Sequence, residues 1–134
     1  MLVEDEADDV FMMRRAVQRM NDPISLQVAK DGEQAVEYLS GQNQYADRAL
    51  FPLPSLILLD IKMPRKNGLE VMEWLHSDVT LKGIAVVMVS SSKVKSDVER
   101  CRVLGVRAYL VKPVSFDELK HLLTAREEFL SLPR

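Results

Sequence analysis

The chain has 134 residues, enough for one core and too few for a second catalytic or nucleic-acid-binding module, so a single domain over residues 1–134 is expected. With 47% hydrophobic and 28% charged residues its composition is that of a folded globular protein, which excludes a disordered chain. Its 18 Lys and Arg against 20 Asp and Glu leave a net charge of −2, which argues against nucleic acid, and no apolar run reaches the roughly 18–20 residues of a membrane span.

Leu2-Val3 is a short apolar run that stops at Glu4-Asp5-Glu6, and a helix follows, capped by Asp8 or Asp9, with Val10, Met13, Ala16, Val17 and Met20 as its apolar positions. After the turn Asn21-Asp22-Pro23, Ser25 to Ala29 alternate as a strand, and Asp31-Gly32 open a helix bearing Ala35, Val36 and Leu39 that ends at Gly41. Ser40 to Ser55 is a long connection for a compact domain, and Tyr45, Leu50, Phe51 and two prolines in it predict an ordered loop. Leu56-Ile57-Leu58-Leu59 is a continuous apolar strand ending at Asp60; Pro64 and Gly68 lead into a helix with Leu69, Met72 and Leu75 on one side. A strand over Ile84 to Val89 ends in Ser90-Ser91-Ser92 and is followed by a helix with Val98, Cys101 and Leu104, closing at Gly105. Ala108 to Val111 form the fifth strand. Ser115 and Glu118 then make a capping box, with Val114 and Leu119 as its hydrophobic staple, for a helix whose inner face is Phe116, Leu119, Leu122 and Leu123. Strands and helices that alternate in this way, with continuous apolar runs, imply a doubly wound α/β fold: a five-stranded parallel sheet covered on both faces.

In an open parallel sheet, ligands bind beyond the carboxyl ends of the strands. Here those ends are polar: Glu4 and Asp5 after the first strand, Asp60 after the third, Ser90 after the fourth and Lys112 after the fifth. Carboxylates gathered there repel unless a cation joins them, and an all-oxygen set suits Mg2+ far better than Zn2+. A lysine and a hydroxyl opposite them offer a charge and a donor to a tetrahedral oxyanion, which reads as phosphoryl transfer. Each acid taken singly has a plainer reading as a cap for the following helix. Glu6, Asp8 and Asp9 are assigned to that plainer class, as carboxylates favoured by the first helix dipole, and are kept out of the site.

Four stretches together resemble the receiver domain of two-component response regulators: Leu2-Val3-Glu4-Asp5-Glu6, Leu58-Leu59-Asp60-Ile61-Lys62-Met63-Pro64 with Gly68, Val89-Ser90-Ser91, and Tyr109-Leu110-Val111-Lys112-Pro113. The resemblance spans essentially the whole chain and implies a flavodoxin-like (βα)5 fold with strand order 2-1-3-4-5. It implies Asp60 as phosphoacceptor, Glu4 and Asp5 as the acidic pair, a Mg2+ ion held with Asp60 and the backbone carbonyl of Lys62, and Lys112 as the lysine that meets the phosphoryl group. Ser90 is then the switch hydroxyl and Tyr109 the switch aromatic, with Pro113 beside Lys112. The donor implied is a phosphohistidine on a histidine kinase. Tyr45-Ala46-Asp47-Arg48 leading to Pro52 is further similar to single-domain regulators associated with cyanobacterial phytochromes, which points to a phytochrome-type kinase and to a homodimer through the fourth helix, fifth strand and fifth helix, where Val94, Arg107 and Arg126 lie. The chain departs from the family in its short first strand, in Glu-Asp where Asp-Asp is commoner, and in Ser90 where threonine is frequent.

Two positions flank the water approach to an Asp60 acyl phosphate: Lys62, whose ammonium shields the phosphoryl oxygens or else points into solvent, and Ser92, too short to place an attacking water. An aspartyl-phosphate phosphatase is disfavoured because Lys62 stands where such enzymes carry a second acid and because no cap domain fits; a flavodoxin-like binding module lacks a glycine-rich phosphate loop. The chain is therefore expected to be a phosphoacceptor and not an enzyme, acting alone or as a receiver belonging to a hybrid histidine kinase. His76 and His121 read as surface residues, and Cys101, Met12, Met13 and Met20 as core; Trp74 and Phe11 read as packed. No secretory signal opens the chain and a single cysteine cannot form an internal disulfide, so a reducing cytoplasm is expected.

Overall fold

The computed structural model describes residues 1–20, 24–63 and 65–125. The predicted turn at 21–23, Pro64 and Arg126 lie outside them. Five strands, β1 (Leu2–Val3), β2 (Val28–Ala29), β3 (Leu56–Leu59), β4 (Ala85–Ser90) and β5 (Ala108–Val111), pair in parallel in the order β2-β1-β3-β4-β5. Between and after them run α1 (Ala7–Gln18), α2 (Gly32–Ser40), α3 (Gly68–Ser77), α4 (Lys95–Val103) and α5 (Phe116–Thr124). This is the doubly wound, flavodoxin-like fold that the sequence predicts.

The two faces of the sheet follow from the two-residue period of a strand. Val3, Ile57, Leu59, Val86 and Met88 pack toward α2, α3 and α4, against Ala35, Leu39, Val71, Met72, Leu75 and Cys101. Leu2, Leu56, Leu58, Ala85, Val87 and Val89 pack toward α1 and α5, against Met13, Ala16, Leu119 and Leu122. Both faces of β3 and β4 are buried, so these strands read as apolar runs.

The capping box of Ser115 and Glu118 is present, and a second joins Asn67 to Glu70 at the start of α3. Asp31 caps α2 as expected, accepting from the Gln34 amide at 2.8 Å. The start of α1 differs from expectation: its N-cap is Glu6, with no side-chain capping bond, and Asp8 and Asp9 sit inside the first turn. The helix begins early enough that neither aspartate occupies the position from which a cap can reach forward. β2 is also shorter than the predicted Ser25–Ala29, because only Val28 and Ala29 find partners on β1, opposite Leu2 and Val3. Met13 is core, but Met12 and Phe11 are each 58% exposed, since the inward stripe of α1 runs through Met13 and Ala16 and leaves both on the outer side. Trp74 is partly buried against the α2–α4 face.

The Ser40–Ser55 connection is ordered. It holds a 3-10 turn over Asn43–Ala46, and the rings of Tyr38, Tyr45 and Phe51 meet with centroids 4.9 to 5.9 Å apart. Arg48 donates to the carbonyls of Tyr38, Leu39 and Phe51 at 2.8, 2.9 and 3.1 Å, so one guanidinium closes the loop onto the end of α2.

Candidate functional site

The chain leaves β1 toward β2 on one side and β3 stands on the other, so the sheet's topological switch lies beyond Val3 and Leu59. Glu4 and Asp60 are the residues that follow, and both are buried, while Asp5 is exposed at the rim. One carboxylate oxygen from each of Glu4, Asp5 and Asp60 lies within 4.8 Å of the others. Gly68 permits this edge: its amide donates to the Ile61 carbonyl at 2.8 Å, and a Cβ there would stand 2.1 Å from the carbonyl oxygen of Asp60. The β3–α3 turn can therefore fold tightly under the acid that it presents.

Lys112 enters from the end of β5, fixed by its amide bond to the Ser90 carbonyl at 2.8 Å and followed by a cis peptide to Pro113. Its ammonium reaches Asp60 Oδ2 at 3.1 Å, Asp9 Oδ2 at 2.8 Å and Glu4 Oε1. Burial works against the charge on Lys112, but the bonds to Asp9 and Glu4 and the charge of Asp60 outweigh it and hold the ammonium above its ordinary range. Burial pushes Glu4 up to about 7, with Asp60 adding to the rise and Lys112 opposing it. Three carboxylates around this ammonium, with Asp5 beside them, leave an excess of negative charge at the edge. The all-oxygen trio of Glu4, Asp5 and Asp60 fits a hard divalent cation, since such an ion removes their mutual repulsion.

The structure brings together Glu4, Asp5, Asp60, Ser90 and Lys112, all expected at this edge. Ser90 is fully buried, and its Oγ accepts from the Ser92 amide at 3.3 Å. Tyr109 donates its hydroxyl to the Ser92 carbonyl at 2.8 Å. Lys62 presents its amide to Asp60 Oδ1 at 3.3 Å and leaves its side chain exposed. Ser92 stands differently from expectation: it is buried, and its hydroxyl donates to Asp97 Oδ2 at 2.7 Å, so it fastens the turn to α4 and is not open to the water approach. Asp9 lies in the first turn of α1 and outside the acidic trio, as the sequence reading has it, but its contact with Lys112 corrects its exclusion from the site. The helix period held the signal: Asp9 precedes Met13 by four residues and Ala16 by seven, which puts it on the inward face of α1.

The family described as the response regulator receiver domain matches residues 1–124. The chain belongs to that family. This receiver is 31% identical over 129 residues to the response regulator Rcp1 of Synechocystis sp., a match covering 96% of this chain and 86% of that protein. It is 30% identical over 129 residues to the probable methanogenesis regulatory protein FilR2 of Methanothrix harundinacea, covering 96% of this chain and 81% of that one. Among solved structures, the Mn(2+)-bound form of Rcp1 matches it with a TM-score of 0.87 at 30% identity, covering 99% of this chain and 96% of that chain. The phosphorylated cyanobacterial phytochrome response regulator RcpA matches with a TM-score of 0.82 at 34% identity, covering 99% and 94%. Receiver domains bind a divalent metal, and in this one the acidic trio is where the donor set fits such an ion.

Proposed function

We propose that Asp60 accepts a phosphoryl group from the phosphohistidine of a histidine kinase and that the chain signals through the change this makes in its fourth helix, fifth strand and fifth helix. The observation that carries the reading is a buried carboxylate, Asp60, at the sheet's switch point, 3.1 Å from the Lys112 ammonium and beside two further acids. An oxygen of Asp60 forms the new bond to phosphorus while the bond from phosphorus to the histidine nitrogen breaks, and the electron pair stays with the imidazole, which takes up a proton. Mg2+ held by Asp5, Asp60 and Glu4, with the Lys62 carbonyl, would neutralise phosphoryl oxygens and cancel repulsion among these acids.

The chain's own residues supply the rest. Asp60 is held at the turn above Gly68, and Lys112 places a positive charge where the incoming oxygens gather. Ser90 offers its hydroxyl to the phosphoryl group, and its movement loosens the turn to which Tyr109 is bonded. Val94 at the N-cap of α4, Val98 and Val103 on α4 and Val111 on β5 are exposed and make that face apt for a partner, a second copy of this chain among them. The likeness to Rcp1 and RcpA supports a phytochrome-type sensor as the donor kinase. The charge of −2 weighs against nucleic acid as a partner, and no helix among the described residues is long and apolar enough to cross a membrane. We place the protein in the cytoplasm, as a phosphoacceptor and not a turnover enzyme, with the exposed Lys62 setting the lifetime of the acyl phosphate.

Incubation with acetyl phosphate and Mg2+ tests the reading. Intact mass should show one phosphoryl adduct, lost in acid, in alkali and with hydroxylamine as an acyl phosphate is, on the wild-type chain and none on Asp60→Asn. An unchanged wild-type mass, or an equal adduct on the variant, overturns it.

A further inference from the structure

The ion pair between Lys112 and Asp9 has no part in the chemistry above. An ammonium has three N–H donors, and Lys112 has three carboxylates around it: Glu4, Asp9 at 2.8 Å and Asp60 at 3.1 Å. These come from three separate elements, the ends of β1 and β3 and the first turn of α1. The arrangement is a tripod in which bonds to Glu4 and Asp9 orient the third N–H toward Asp60.

Asp9 differs from the other two acids in kind. Its carboxylate is not among those gathered within 4.8 Å as Glu4, Asp5 and Asp60 are, so a cation on that trio leaves it to Lys112. Glu4 has duties on both sides, since its Oε2 also accepts from the amides of Asp5 and Glu6 at 3.1 and 3.3 Å. Asp60 itself loses its carboxylate charge once it becomes an acyl phosphate. Beside Lys112 lies a cavity of about 170 Å³ lined by Glu4, Asp9, Met12, Pro113 and Val114, room into which a long, freely rotating lysine side chain could turn. Asp9 stands on that cavity's wall and holds the ammonium by its other side.

We propose that Asp9 is a positioning residue for phosphoryl transfer: it anchors the Lys112 ammonium from the first turn of α1, so that one N–H stays aimed at Asp60 and then at the phosphoryl oxygen bonded there. The inference rests on the reading of Asp60 as phosphoacceptor. It acts through Lys112 and leaves the divalent cation's affinity alone, which distinguishes it from the roles of Glu4 and Asp5.

The test uses the full chain with Asp9→Asn, Asp9→Glu, Lys112→Met and the Asp9→Asn, Lys112→Met double variant. With saturating Mg2+ and acetyl phosphate, Asp9→Asn should slow phosphorylation about tenfold, the order expected for loss of one charge-assisted hydrogen bond on a reacting group. The Mg2+ concentration for half-maximal rate should stay at the wild-type value, Asp9→Glu should restore most of the rate, and Asp9→Asn should add no further loss on Lys112→Met. In the metal-free, unphosphorylated protein, the Lys112 ammonium resonance in nitrogen-detected NMR should be sharp for wild type and broadened for Asp9→Asn. An unbroadened ammonium, or a rate that is unchanged or faster, overturns the role of Asp9. So does an equal loss in the presence and absence of Lys112. If wild type takes up no phosphoryl group at all, the phosphoacceptor reading falls and takes this inference with it; if wild type is phosphorylated and Asp9→Asn keeps pace, only the role of Asp9 falls.

Discussion

The hydroxyl of Tyr109 donates to the backbone carbonyl of Ser92 at 2.8 Å. That carbonyl belongs to the turn whose amide is bonded to Ser90 Oγ at 3.3 Å, and the Ser92 hydroxyl continues the chain to Asp97 of α4 at 2.7 Å. The middle of β5, the hydroxyl that ends β4 and the first turn of α4 are thereby linked by consecutive hydrogen bonds. A shift of Ser90 toward a new acceptor pulls on both neighbours.

Tyr109→Phe removes the donor and nothing else. Folding stability should fall by about 0.5–1.5 kcal/mol, the net worth of one hydrogen bond. Phosphorylation at Asp60 should persist, but the accompanying amide shifts in α4 should shrink in heteronuclear NMR spectra. Wild-type stability together with a wild-type α4 response would show that this bond transmits nothing.

Asp5→Asn separates metal binding from folding. Asp5 is exposed and shares the edge with two buried acids, so its charge adds repulsion in the metal-free protein and attraction once a cation is present. Calorimetric titration should show Mg2+ affinity reduced at least about tenfold, while urea unfolding without metal changes by less than about 0.5 kcal/mol. Titration curves that superpose on wild type would remove Asp5 from the metal's ligands.

Much of this was legible in the sequence, and the exceptions are instructive. Asp60, Ser90 and Lys112 were readable because each interrupts an apolar run, and in a parallel sheet such interruptions fall at one edge. The box of Ser115 and Glu118 was readable because both halves lie within four residues. Asp9 was not, because a carboxylate in the first turn of a helix already has a sufficient local reason to be there. The pairing with Lys112 spans 103 residues of sequence, and only the phase of α1 relative to Met13 hinted at it. Ser92 was misplaced for a similar reason: a serine after a strand can face the ligand or cap the next helix, and its bond to Asp97 decides. The order in the Ser40–Ser55 loop was foreseeable from its aromatics, but the role of Arg48 was not, since its acceptors are backbone carbonyls.

Cys101 gives a pH prediction. Its thiol is fully buried, and burial, with Asp97 adding, pushes its pKa up to about 11. A thiol group whose folded pKa is raised stabilises the fold below its unfolded pKa, and that contribution is lost as pH rises through about 11. Labelling by a disulfide reagent at pH 8 should therefore be negligible in native protein and complete in urea. Native labelling at the rate of a free thiol would show that Cys101 is open to solvent.

Gly68→Ala sets two effects of opposite sign against each other. Alanine is the better helix former by about 1 kcal/mol in a helix interior, and Gly68 is the first residue of α3, where a smaller gain is expected. Against this, the new Cβ would lie 2.1 Å from the Asp60 carbonyl oxygen and 2.8 Å from Ile61 Cα, and both neighbours are backbone, which cannot rotate away as a side chain would. Relieving that contact means moving the turn that presents Asp60, a change of the kind that costs about 1–3 kcal/mol in a packed site. The clash should win, so urea unfolding should show a net loss of stability. Phosphorylation by acetyl phosphate should slow as well, because the shifted atoms adjoin the acceptor carboxylate. A variant as stable as wild type, with unchanged phosphorylation, would mean that the turn moves freely and that Gly68 does not position Asp60.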